Sequence, residues 1–191
     1  MTNQPLPPSP NRTTAPQRRR ILRPLIVGTV FLIINIIVYL LPIDYDFFGN
    51  YAYAGVFLIT LIANATVIIP IPYIPLVARI AAEVDSVMLV ILLSALGSAL
   101  GESVAFFVGR SGKGVVEETR FYIWVQRQLR HPWRAFLVLF VLATPPNPVF
   151  DIAGLSAGAF GLPYWMFFTA VFLGRTIRMG LISVAGIQLD G

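Results

Sequence analysis

The sequence predicts an all-α polytopic membrane protein built as an inverted repeat. Two re-entrant, proline-tipped helical hairpins are each followed by a transmembrane helix, with a further transmembrane helix at the N-terminus and an amphipathic helix on the cytoplasmic side. Three observations carry this reading. Hydrophobic residues make up 57% of the 191-residue chain, and a mean hydropathy of +0.76 lies outside the ordinary soluble range. Apolar stretches are interrupted twice by proline clusters, Pro70, Pro72 and Pro75, then Pro145, Pro146 and Pro148; irregular backbone at membrane depth is tolerated only where protein buries it or it lines a cavity. The order arm, prolines, arm, span occurs twice, with the hairpins entering from opposite faces, which is the plan of many secondary transporters.

Composition excludes several function classes. The net charge of +5 is small and gathered at particular loops, as suits topology and headgroup contact, so no nucleic acid is expected as partner. With no cysteine and a lone His131, there is no disulfide framework, thiol site or histidine cluster, and neither metal nor cofactor is expected. No nucleophile elbow or phosphate-cradling loop occurs, so the chain does not read as an enzyme.

Residues 1–20 hold five of the 15 prolines and no aliphatic run, the composition of a disordered tail. Arg18, Arg19, Arg20 and Arg23 precede the first apolar run, which keeps this tail cytoplasmic. Residues 25–41 lack a charge and predict the first span; Ala52-Tyr53-Ala54 lies too far beyond it for a signal cleavage site. Residues 55–82 are long enough to cross, but the three prolines break them into two arms. Residues 86–109 predict the second span, with Gly97 and Gly101 spaced for internal helix packing. The linker that follows carries Arg110, Lys113, Arg120, Arg127, Arg130 and Arg134 against Glu117 and Glu118. The positive-inside rule makes it cytoplasmic, and only a re-entrant 55–82 allows that. Within the linker, residues 115–131 have the pattern of an interfacial helix. Residues 135–162 form the second re-entrant segment, with Gly154 and Gly158 in its second arm, and 163–186 the third span. Arg79 is expected to snorkel at the outer interface, and His131 to be a loop residue.

Gly101-Glu102, Phe106 and Gly109-Arg110 resemble the G-[DE]-x-x-x-[YF]-x-x-G-R signature of the DedA or SNARE-associated-Golgi superfamily, whose shared unit is the VTT domain. Ala157-Gly158, Pro163, Phe167 and Gly174 are similar to the second half of that unit; the resemblance covers roughly residues 64–183, within an integral membrane VTT-like domain read as 21–191. The resemblance implies two re-entrant hairpins that meet in the membrane and a role in moving or scrambling lipids. Two departures stand out. Many members carry two arginines around the second proline cluster, where this chain has Ala143 and Val149. Many also carry an acid beside the first, where it has Asn64 and Thr66. The resemblance therefore brings no proton-driven mechanism with it.

Glu102, Asp151, Arg175 and Arg178 lie in otherwise apolar sequence, where each costs roughly 2.5–3.5 kcal/mol at a helix centre unless paired or hydrated. They are read as a polar pathway, the structural alternative being ion pairs that lock the halves together. Arg175 lies twelve residues beyond Pro163, about 18 Å along the helix and past the middle of a core about 30 Å thick. Arg175 and Arg178, at i and i+3, are placed to grip a phosphate. With Asn64 and Asn147 near the tips, these residues form the expected substrate and transport set. The function that follows is a flippase or scramblase for phosphate-bearing lipids; a small-ion or solute transporter and a non-transporting assembly factor are the alternatives. Membrane lipids are the expected partners, with a homo-oligomer left open, and the plasma (inner) membrane is the expected location.

Overall fold

Seven helices are fully placed among the described residues of the computed structural model, which are 17–41, 51–66, 71–112, 127–128, 131–145 and 150–190. They are α1 (Gln17–Leu40), α2 (Tyr51–Ala65), α3 (Tyr73–Glu83), α4 (Val87–Arg110), α5 (Pro132–Ala143), α6 (Phe150–Ala159) and α7 (Tyr164–Asp190). At 1.5 Å per residue, α4 and α7 extend about 36 and 40 Å, enough to cross a hydrocarbon core of about 30 Å. The arms α2, α3, α5 and α6 reach only about 15–23 Å each.

The breaks between elements have local causes. Pro72 caps α3 and Pro75 lies in its first turn, where a missing N–H costs nothing because that donor has no intrahelical partner. Pro75, expected at the tip, is therefore a helical residue and is buried. Pro132 opens α5 at its first position with His131 as the cap, a placement proline favours because its φ is already helical. At the end of α6 the Leu162 N–H donates to the Ala157 carbonyl at 3.1 Å and the Gly161 N–H to Gly158 at 3.0 Å. Gly161 has φ 69°, so this is a Schellman closure that needs a residue tolerant of the left-handed region. Pro163 then starts α7, its carbonyl accepting from Met166 and Phe167. At the start of α4 the backbone N–H of Ser86 donates to the Tyr53 hydroxyl at 3.0 Å, so a side chain from α2 satisfies an orphan donor there.

Two expected boundaries shift. The first helix begins at Gln17, inside the stretch expected to be a disordered tail, because arginine propagates a helix well once an apolar segment anchors it. Residues 1–16 lie outside the described residues. The first arm begins at Tyr51 rather than 55, since Ala52 and Val56 continue one buried stripe with Thr60. The interfacial segment 115–131 and the tips at Pro70, Pro146, Asn147 and Pro148 fall largely or wholly outside the described residues.

The packing exchanges arms between the two halves. α2 lies on α4 and α5 on α7, each arm against the long helix of its own half; α3 instead lies on α7 and α6 on α4. Glycine makes these approaches possible. A Cβ at Gly101 would meet the Leu61 carbonyl oxygen at 2.5 Å and the Ala65 nitrogen at 2.8 Å, and one at Gly174 would meet the Phe140 oxygen at 2.7 Å. Gly109 and Gly158 similarly admit the backbones of Leu155 and Phe106, which brings α6 onto α4. Gly97 and Gly101, Gly154 and Gly158 thus serve packing within the chain.

Two apolar clusters fill the bundle. Phe106, Leu139, Phe150 and Phe167 centre one between α4, α5, α6 and α7, with the Phe106 and Phe167 rings 4.7 Å apart. Val56, Val77, Val90 and Met179 centre the other between α2, α3, α4 and α7. The outer surface is also apolar: Leu92, Phe107, Val141 and Leu181 are exposed around the bundle, far beyond the patch a soluble monomer leaves bare. Tyr51, Trp133 and Trp165 are exposed in the first turns of α2, α5 and α7, where amphipathic rings suit a membrane–water interface.

Candidate functional site

Glu102 on α4 and Arg175 on α7 meet where the two long helices pack together. Each is the residue that follows a close-approach glycine, Gly101 in one half and Gly174 in the other, so the same step of the two halves supplies an acid and a base. Both are 3% exposed, and the Arg175 Nη2 donates to Glu102 Oε1. The pair is incompletely satisfied: Glu102 Oε2 and Arg175 Nε are buried without a hydrogen-bond partner. Such groups in a native core call for water, an ion or a ligand.

Asp151, in the first turn of α6, is half-buried, and its charge interacts with Arg175 and with Glu102. The structure therefore gathers three of the residues read from the sequence. Arg178 stands apart from them. It is buried, with its Nε unpartnered, and no acid pairs with it among the described residues. Its guanidinium carbon lies 5.8 Å from the centre of the Tyr73 ring, whereas that of Arg175 lies 5.1 Å from the Phe150 ring. Arg175 and Arg178, expected to grip a phosphate jointly, thus lie beside aromatic rings of two different helices.

Asn64 sits at the end of α2, its Nδ2 donating to the Thr60 carbonyl at 2.7 Å, within electrostatic reach of the Tyr73 hydroxyl together with Ser98. Ser98 and Ser183 are fully buried and their hydroxyls lack partners. Asn147 lies outside the described residues. Arg79, expected to snorkel, pairs with Glu83 at 2.7 Å and lies 5.8 Å from the Tyr39 ring.

Sequence reading missed Tyr73, Phe150, Ser98 and Ser183. A signal for the first two was present: in each proline cluster an aromatic residue stands one or two positions after a proline, Pro72-Tyr73 and Pro148-Val149-Phe150. Each is the first residue of the helix that follows and each lies beside one of the two buried arginines. Among the described residues, no acidic or histidine cluster is arranged to hold a metal ion.

A helical bundle that turns apolar side chains outward and seals an ion pair between two membrane-length helices defines an integral membrane protein. The chain belongs to the VTT domain family, whose profile matches residues 71–188. It is 34% identical over 113 residues to vacuole membrane protein KMS1 of Arabidopsis thaliana, covering 48% of this chain and 27% of that protein. Over 103 residues it is 28% identical to vacuole membrane protein 1 of Homo sapiens, covering 43% and 25% respectively. A Dictyostelium discoideum homologue of vacuole membrane protein 1 is 43% identical over 54 residues, or 28% of this chain and 13% of that one. The chain thus spans about a quarter of the length of the first two of these relatives. No solved structure matches it. The relatives are named for the vacuole membrane, and nothing in them points to the plasma membrane.

Proposed function

We propose that the chain carries phosphate-bearing lipids between membrane leaflets, without covalent chemistry, and that Arg178 is the residue that receives the phosphate. One observation carries this reading: Arg178 is 8% exposed and lacks an acidic partner among the described residues, in a bundle that neutralises its other deep arginine. A buried, unneutralised guanidinium is costly unless an anion or water completes it. A phosphate accepts two parallel hydrogen bonds from such a group. Glu102 and Arg175 then form a charge-balanced pair beside the path, with Asp151 near it, that holds the halves together between passages.

Re-entrant hairpins belong to this reading. Arms of about 15–23 Å fall short of a core of about 30 Å, and each hairpin divides its arms between α4 and α7, as two halves of opposite orientation would. In this topology the N-terminus and residues 110–134 are cytoplasmic. Cysteines introduced singly at Asn50, Asp85 and Lys113 of this cysteine-free chain should label from outside, outside and inside; an inside label at Asp85 overturns the re-entrant arrangement.

The functional test is Arg178→Lys in vesicles carrying a fluorescent phospholipid, with leaflet exchange read by quenching from one side. Lysine keeps the charge but not the planar fork. Exchange should fall at least about tenfold, the free-energy equivalent of about 1.4 kcal/mol, with the helical content unchanged. Exchange at the wild-type rate refutes the assignment, and ion flux without lipid exchange points to a solute transporter.

A further inference from the structure

We propose that the groove between α1, α3 and α7 binds one acyl chain of a membrane phospholipid, seated along α1 with its polar end toward Tyr39. The groove has a volume of about 700 Å³, within the range of small-molecule sites. It lies on the outside of the α3–α7 contact, away from the ion pair, and its occupancy does not depend on lipid exchange.

Its origin is a mismatch of side-chain size. Ala78, Ala185 and Gly186 make the floor, and Gly186 lets α7 approach the Ala78 backbone closely. α1 packs against α3 and presents Phe31, Leu32 and Ile36 across the gap without filling it. An apolar trench that opens on the lipid-facing surface is filled by hydrocarbon, since an empty one forfeits dispersion contacts.

Length and polarity select the occupant. From Phe31 to Leu40 the wall runs nine residues, about 13.5 Å along a helix, close to the hydrocarbon depth of one leaflet at about 15 Å. Two polar side chains line it. Asn35 is satisfied internally, its Nδ2 donating to the Phe31 carbonyl at 2.8 Å. Tyr39 is not: its hydroxyl is buried and has no hydrogen-bond partner. Tyr39 stands one residue from the Leu40 end of that wall, with the Arg79 guanidinium over its ring. An apolar trench that ends near the Arg79–Glu83 ion pair has the polarity of an amphiphile, hydrocarbon along its length and a headgroup beside the charged pair.

The test uses the full chain in phosphatidylcholine vesicles doped with a phosphatidylcholine bearing a photoactivatable diazirine on one acyl chain, with labelled residues mapped by mass spectrometry. Labelling of Leu32, Ile36 and Ala185 should exceed that of Leu137 and Val141, exposed residues of α5 that do not line the groove, by at least fivefold. Ala185→Trp and Ile36→Trp fill the trench from opposite walls at exposed positions. Each should return groove labelling to the level of those controls and leave the controls unchanged. Equal labelling of groove and controls in the wild-type chain overturns the proposal, as does groove labelling that neither tryptophan lowers. Crosslinking of two chains through the groove, in place of lipid, assigns the trench to a second copy and overturns it as well.

Discussion

Replacing Glu102 by Leu and Arg175 by Met, singly and together, tests whether the ion pair is a coupled unit. Both side chains are 3% exposed, so neither partner left alone has water to replace the other. Removing one side of a buried pair costs about 3–5 kcal/mol. Glu102→Leu should fall near the lower figure, because Asp151 remains close enough to act on Arg175. The double replacement is different. Glu102 Oε2 and Arg175 Nε already lack partners, so exchanging both groups for apolar ones of similar volume removes two unsatisfied atoms along with the pair. It should cost no more than about 1 kcal/mol and stabilises the bundle if the desolvation penalty exceeds the attraction. The two single losses then exceed the double loss by at least about 5 kcal/mol, a coupling outside the spread expected of independent sites. Unfolding in mixed micelles, titrated with a denaturing detergent and followed by circular dichroism, gives all three values. If the double variant loses as much as the two singles combined, the residues act independently and the lock between the halves is not the pair.

Gly158→Ala should destabilise by about 1–3 kcal/mol in the same titration, because its Cβ would meet the Phe106 carbonyl and the Arg110 nitrogen of α4, backbone atoms that have no rotamer to change. Gly55→Ala is the matched control: nothing lies within 4 Å of its Cβ, and relieving glycine's entropy cost in a helix should stabilise by about 0.5–1 kcal/mol. Phe167→Ala removes a fully buried ring stacked near Phe106 and Phe150, and should cost about 3–5 kcal/mol, measured as a shift of the unfolding midpoint. Tyr73→Leu takes away the ring beside Arg178 and keeps both members of the Glu102–Arg175 pair; leaflet exchange should fall with the helical content unchanged, and an unchanged rate separates Tyr73 from the path.

What the sequence determined by itself is the set of local and compositional facts. Apolar runs, proline interruptions and glycine spacing depend on residues near one another in the chain, so the all-helical membrane class, the break before Tyr73 and the long helices near 86–109 and 163–186 could be read directly. The presence of Glu102, Asp151 and Arg175 as costly groups was equally legible, because the expense of a buried charge follows from its surroundings in sequence. Which charge answers which was not. Glu102 and Arg175 are 73 residues apart, and their meeting depends on how α4 and α7 pack, which is set by glycines whose partners lie in other helices. The same holds for the exchange of arms, for the placing of Tyr73 and Phe150 beside different arginines, and for Pro75, which reads as a breaker until the start of α3 shows it one turn inside the helix. Tertiary structure decided these points because each turns on the direction in which a side chain leaves its helix and on what another part of the chain sets there to meet it.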